Sequence, residues 1–411
     1  MGENLISIAT DGAAVLTGRV GGLVTKLKQD FPKVQSIHCL AHRLELAVKD
    51  CLKEVAGCNK FEFFVAKLYA LYHQSSKNAR LLQEAAAELN MQILKIGQIF
   101  TIRWVASSFQ TVKAVWKDYP ALARQFKTAT DDTSSRSDTE RQKFRGLHKL
   151  LTSAGFLADL ATMKDVLQEL QSLLLKLQRR ETSLVDASCY IQQTIDVLTA
   201  MKISGGKSTQ KVEEGIATGM FKDVELSESR PKINRLQFYQ SIIDSLKKRL
   251  PEPDLVRMLK PLDKCFWPEQ RSALILYGEN EVRALAKVLG EPAREAIEEF
   301  RDYKLENKSP GKALQKLQTA SKTFLPTSAE CERGFSAVNS TDTDKRNKLR
   351  EKSLFSLLFR RHQCPPPGAI RPSAICTVLD QSWPQTLHIM GSGTESEEEA
   401  AQVPVVAFTV R

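Results

Sequence analysis

Leu5-Ile6-Ser7-Ile8-Ala9-Thr10-Asp11-Gly12 is the stretch that decides the fold. A short run rich in branched side chains reads as a strand, and it ends on a carboxylate followed by a glycine. The carboxyl end of a strand is where an α/β sheet makes its ligand and metal contacts. An aspartate before a glycine is also an ordinary turn residue that caps the next helix. Moving outward, residues 13–31 carry Val15, Leu16, Leu23, Val24 and Leu27 in a helical pattern, broken at Gly21-Gly22. Residues 34–39 read as a second strand. Residues 41–55 read as a helix with Leu44, Val48, Leu52 and Val55 on one face. Strand, helix, strand, helix in this order makes a right-handed crossover with parallel strands.

Beyond residue 55 the strand signal nearly vanishes. Residues 61–89 are helical in pattern, 93–102 are extended, and 107–126 resume helix with a local stop at Pro120. Residues 128–139, TATDDTSSRSDT, lack an apolar anchor and read as a surface loop or linker. Leu157, Leu160, Val166, Leu170, Leu174 and Leu177 mark a long amphipathic helix. Ile191, Ile195, Leu198 and Met201 mark another, and Phe238, Ile242, Leu246 and Leu250 a third. This all-helical middle looks like an insertion between two parts of one α/β core, so the chain is predominantly helical. Residues 328–361 combine apolar positions (Phe335, Val338, Leu349, Leu354, Leu357, Leu358) with dense lysine and arginine. After Pro365-Pro366-Pro367 the chain turns polar, with an acidic run at Glu395, Glu397, Glu398 and Glu399, and is expected to be a mostly disordered tail.

Composition narrows the class. At 411 residues, 42% hydrophobic and 26% charged, the chain has ample material for a globular core. A net charge of +11 suits a polyanionic partner such as nucleic acid, and equally a generic basic surface. No apolar run reaches membrane-spanning length, and the start of the chain lacks a secretory pattern. The eight cysteines show no tight repeated spacing and read as reduced thiols of an intracellular protein.

Three further motifs carry chemistry. Cys39 and His42 stand three apart with His38 just before, but a zinc site needs four ligands and no matching second cluster lies nearby. Packing or DNA contact suits them better. Arg103-Trp104 couples a phosphate-binding fork to a stacking surface, a pair suited to an unpaired base beside a phosphate; a core tryptophan with a snorkelling arginine is the plainer reading. Gly205-Gly206-Lys207-Ser208 resembles the end of a phosphate-binding loop, but Met201 stands where the motif needs glycine and no strand precedes it. Nucleotide binding is excluded there.

Taken together, four segments resemble the hAT superfamily of DNA transposases and host proteins derived from them. They are Thr10-Asp11-Gly12-Ala13-Ala14-Val15-Leu16-Thr17-Gly18, then Ile37-His38-Cys39-Leu40-Ala41-His42-Arg43-Leu44-Glu45-Leu46-Ala47, then Arg103-Trp104-Val105-Ala106-Ser107. Last comes Ser328-Ala329-Glu330-Cys331-Glu332-Arg333-Gly334-Phe335-Ser336. They stand in the family's order, and the similarity covers residues 5–362.

The resemblance implies an RNase H-like catalytic core interrupted by a helical insertion. Three acids hold two divalent metals, Mg2+ or Mn2+, that activate water or a 3′-hydroxyl. Asp11 matches the second acid and Glu332 the third. Cys39 and His42 match the family's Cys/His motif, and Trp104 the tryptophan that stacks on a flipped base. The implied dimerisation region carries Phe335, Leu349, Leu354, Leu357 and Leu358. The expected division is a partial core over 1–115, a helical insertion over 116–320, a dimerisation region completing the core over 321–362, and the tail over 363–411.

Only ten residues precede Asp11, so the first acid and its strand are expected to be absent, along with the family's amino-terminal zinc finger. The expected product is therefore a catalytically incomplete, nuclear protein without a metal cofactor of its own. It would pair with itself or a related hAT-like chain, would bind DNA, and would not enter a membrane. A fragment of an active transposase and a DNA-free interaction scaffold are the alternatives. Without the first strand, Leu5–Thr10 is expected to present an unpaired apolar edge.

Overall fold

The computed structural model describes residues 5–97, 104–329 and 333, together with the backbone of Val406–Val410. In chain order the elements are β1 (Leu5–Thr10), α1 (Ala14–Thr17), α2 (Leu23–Asp30), β2 (Gln35–His38), α3 (Leu40–Glu54), α4 (Cys58–His73) and α5 (Ser76–Glu88). Then come α6 (Trp104–Asp131), α7 (Asp138–Leu151), α8 (Ala154–Leu177), α9 (Leu184–Ser204), α10 (Lys207–Thr218), β3 (Met220–Phe221), β4 (Val224–Glu225) and α11 (Arg235–Arg249). The last are α12 (Asp254–Leu259), α13 (Arg271–Leu276), α14 (Glu279–Leu289), α15 (Ala293–Glu306), α16 (Lys312–Ser321) and β5 (Val406–Val410). The protein is predominantly helical.

Contacts gather the chain into two compact units. The first runs to His42, returns over Leu177–Ser188 and resumes at Glu252; the second is Arg43–Lys176 with Cys189–Pro251. The passage from the first unit to the second falls inside α3.

In the first unit, β1 and β2 pair in parallel, Ser7 facing Gln35 and Thr10 facing His38. Ile8, Val24 and Val34 form the core between strand and helix, with Leu5, Leu23, Leu27 and Phe31 packed around it. The Gly21-Gly22 break separates α1 from α2 as the sequence suggested. β1 is not an edge strand, contrary to expectation: β5 pairs antiparallel along its other side, from Thr10 facing Val406 to Leu5 facing Val410. Five residues expected to lie in a disordered tail are therefore in the sheet. The rest of the tail and the dimerisation positions Phe335, Leu349, Leu354, Leu357 and Leu358 lie outside the described residues.

The helices of the first unit's later half pack through Val282, Leu285, Ala286, Ala296, Phe300, Leu314 and Leu317, all buried. Within them Glu279 takes both Nε and Nη2 of Arg301 at 2.6 Å. It also faces the fully buried Lys304 ammonium at 3.5 Å, which donates to the Tyr277 carbonyl at 2.8 Å.

In the second unit, α6 runs straight through Pro120, where a stop was expected. Proline removes the N–H that would bond the carbonyl four residues back, that of Trp116. Here the Lys222 ammonium donates to that same carbonyl and replaces the missing donor. Residues 128–139 also differ from the linker reading. α6 extends to Asp131 and α7 begins at Asp138 under a capping box of Ser137 and Glu140. Between them Asp132 accepts from Ser134 N at 3.2 Å and Ser135 N at 2.9 Å. Arg136 is buried, its Nη2 on Asn78 Oδ1 at 3.2 Å and its guanidinium 4.4 Å from the Phe144 ring centre. Apolar sequence alone does not reveal such anchors, because they are polar.

Buried carboxylates organise the rest of this unit. Asp159 accepts from the amides of Lys232 and Ile233, both at 3.0 Å. Asp165 accepts from Ser208 N, Thr209 N and Thr209 Oγ1, each at 2.9 Å. The Gly205-Gly206-Lys207-Ser208 motif thus opens α10 with its donors occupied by a carboxylate of the same unit, which leaves no room for a nucleotide phosphate at that helix start.

Candidate functional site

The candidate site lies at the carboxyl ends of β1 and β2. Asp11 follows β1 directly and is half-buried. Its Oδ1 accepts from Ala13 N at 2.9 Å, fixing the turn into α1. Among the described residues nothing is bonded to Oδ2. Gly12 has φ +83°, and a Cβ there would fall 2.4 Å from His38 Cε1. Glycine is required twice over, by backbone conformation and by the ring that lies against it.

That ring closes the site. His38 Nε2 stands 2.9 Å from the Asp11 carbonyl oxygen. A carbonyl only accepts, so Nε2 carries the proton. His42, one turn into α3, stacks on His38 at 5.8 Å between ring centres. Cys39 is buried, its amide bonded to the Thr10 carbonyl at 2.7 Å.

The second half of the site arrives from far along the chain. Ser7 Oγ donates to the Thr323 carbonyl at 3.0 Å. Leu40 N donates to the Pro326 carbonyl at 3.0 Å. Ser328 N approaches Cys39 Sγ at 3.5 Å. Residues 323–328, just before Glu332, are thereby tied to the strand ends that carry Asp11 and His38. Glu332 itself lies outside the described residues, as does Arg103. The hydroxyls of Thr10 and Ser328 are buried there without a partner among the described residues, an arrangement that costs about 1–3 kcal/mol per group.

Trp104 belongs to the second unit. It is the first residue of α6 and is half-buried. The next amide, Val105 N, donates to Glu45 Oε2 at 3.0 Å, so a carboxylate of α3 sits at the positive end of α6. Of the sequence-predicted residues, the fold joins Asp11, Cys39 and His42 around one strand end, and adds His38. Trp104 lies in a separate unit. Sequence reading noted His38 without giving it a role; the glycine at position 12, needing space for a ring, was its only trace. Glu45 left no sequence signal, since it looks like any exposed helical carboxylate.

The divalent ions that the transposase resemblance implies need oxygen ligands. Asp11 fits as one, with Oδ2 open. Among the described residues no three of His, Cys, Asp and Glu gather closely enough to hold a metal. Cys39 is spent on packing and on the Ser328 amide, which suits a structural role better than a zinc ligand. No helix among the described residues is long and apolar enough to cross a membrane. No known protein-family model matches the sequence.

Proposed function

We propose that this chain is a hAT transposase-like protein with an RNase H-like core, which dimerises through residues 321–362 and binds DNA in the nucleus. One observation supports the reading most. A strand ending in Asp11 and its parallel neighbour are bonded at their carboxyl ends to residues 326–328, which immediately precede Glu332 and follow a long helical stretch. That arrangement supports the reading of a core interrupted by an insertion. Asp11 and Glu332 match two of the three acids that such a core uses to hold divalent ions.

The test has two arms on the same protein. Light scattering at micromolar concentration is expected to give a dimer, and a strict monomer would remove that part of the reading. Binding to hairpin or tailed DNA is expected to weaken steeply with salt and to weaken further in Trp104→Ala. Strand cleavage in Mg2+ or Mn2+, abolished by Asp11→Asn, would favour an active transposase. Salt-independent binding, or none, would favour an interaction scaffold.

A further inference from the structure

Trp116, near the middle of α6, is surrounded by cations. The Lys164 and Lys222 ammonium groups each lie 5.2 Å from its ring centre. Lys164 donates to Ser208 Oγ at 2.8 Å, and Lys222 to the Trp116 carbonyl. Each ammonium therefore spends one N–H on a neutral acceptor and keeps two. Among the described residues neither has a carboxylate within ion-pair distance. Lys113 and Lys211, both exposed, stand close enough to repel Lys164, and Lys211 also repels Lys222.

The nearest opposing charges are spoken for. Asp165 caps α10 with three bonds. Asp118 is fully buried and accepts from Leu94 N at 3.1 Å through both oxygens. The backbone also pays for this arrangement: Lys222 and Asp223 form the tip of the β3–β4 hairpin with φ 49° and φ 62°. Among the described residues, four non-glycine residues have positive φ, and of these Lys222 alone is neither Asn nor Asp. Burial and repulsion by its neighbours push the Lys222 ammonium down to about 8. Closing the gap left by Pro120 accounts for one bond of Lys222. It does not account for Lys164 at the same ring, or for Lys211 and Lys113 standing close enough to repel it.

We propose that Lys164 and Lys222 over Trp116, with Lys211 and Lys113 beside them, form a phosphate-binding site, which takes the phosphodiester backbone of a nucleic acid or a free polyphosphate. The inference rests on the second unit alone and does not depend on the transposase reading. An anion with several oxygens takes the unused N–H groups and neutralises charges that now repel one another.

The full chain is labelled with an amine-acylating reagent, and modification at Lys164 and Lys222 is read by mass spectrometry, alone and with inorganic tripolyphosphate or a single-stranded oligonucleotide. Tripolyphosphate is expected to protect both lysines. Protection by the oligonucleotide as well identifies a nucleic-acid backbone as a ligand, and protection by tripolyphosphate alone identifies a free polyphosphate. Unchanged labelling with both probes overturns the proposal. Lys164→Gln, Lys211→Gln and Lys113→Gln leave the Lys222 bond to α6 intact. Each is expected to lower the slope of log affinity against log salt by about 1 for the protecting ligand. Unchanged slopes in all three also overturn it. Trp104→Ala, which tests DNA binding under the proposed function, is expected to leave tripolyphosphate protection unaltered.

Discussion

Lys222→Met removes the ammonium that reaches the Trp116 carbonyl after Pro120 has removed its helical partner. Two effects of similar size then oppose each other. A hydrogen bond from a charged donor is lost, worth about 1.5–3 kcal/mol. The burial and repulsion that hold Lys222 down to about 8 are relieved, a gain of about 1–3 kcal/mol once solvent screening of this half-buried group is allowed for. The single variant can therefore sit near wild type, and its stability alone decides nothing. Pro120→Ala separates the two effects, because the new amide restores the i→i−4 bond to the same carbonyl. In that background Lys222→Met leaves no orphaned acceptor, while the electrostatic relief is unchanged. The cycle of wild type, both single variants and the double variant is expected to show a coupling of about 1–2 kcal/mol. Methionine keeps the apolar stem over Trp116 and Phe221, so lost packing does not enter the comparison. Urea unfolding, with hydrogen exchange of the α6 amides after residue 120 to localise the effect, supplies the four values. Additivity within about 0.5 kcal/mol would refute the claim that Lys222 replaces the amide lost to Pro120.

Three other outcomes follow from the same physical reading. Burial pushes the Asp118 and Asp159 carboxyls up to about 6 from 3.8. The native state then holds protons that the unfolded chain has released, so stability falls as pH rises from about 4 to 6, by about 3 kcal/mol per group. The stability difference between wild type and Asp118→Asn, measured across that window, is expected to fall and then level off; a flat difference would contradict it. Glu279→Gln takes one of the two acceptor oxygens from Arg301 and strips the buried Lys304 of its counter-charge. It is expected to cost about 3 kcal/mol in chemical denaturation, and Glu279→Met with Lys304→Met is expected to recover most of it. Gly12→Ala meets both the positive φ and the His38 ring, and a loss of about 2–3 kcal/mol is expected. Adding His38→Ala should return the steric share but not the backbone share, and full recovery would show that φ costs nothing there.

Sequence by itself determined the local elements. β1 over Leu5–Thr10 has the bounds read from its branched residues, and the leucine spacing in α8 and the apolar face of α3 mark helices that form. Periodicity works because burying one face is a local requirement of each element. It also made Asp11-Gly12 legible as a strand end, since the glycine must accommodate the turn.

Only the tertiary structure decided what depends on partners distant in the chain. Pro120 does not stop α6 because its compensating donor, Lys222, comes from a hairpin 106 residues after the Trp116 carbonyl it bonds. Residues 128–139 looked like a linker because their anchors are polar, Asp132 and the buried Arg136. The β1 edge is covered by Val406–Val410, a segment whose surroundings read as tail. Ser328, with the acid-bearing motif behind it, meets Cys39 across 289 residues. A hydrogen bond satisfied across such a separation leaves no periodic trace in either segment, so each looks ordinary until the fold brings them together.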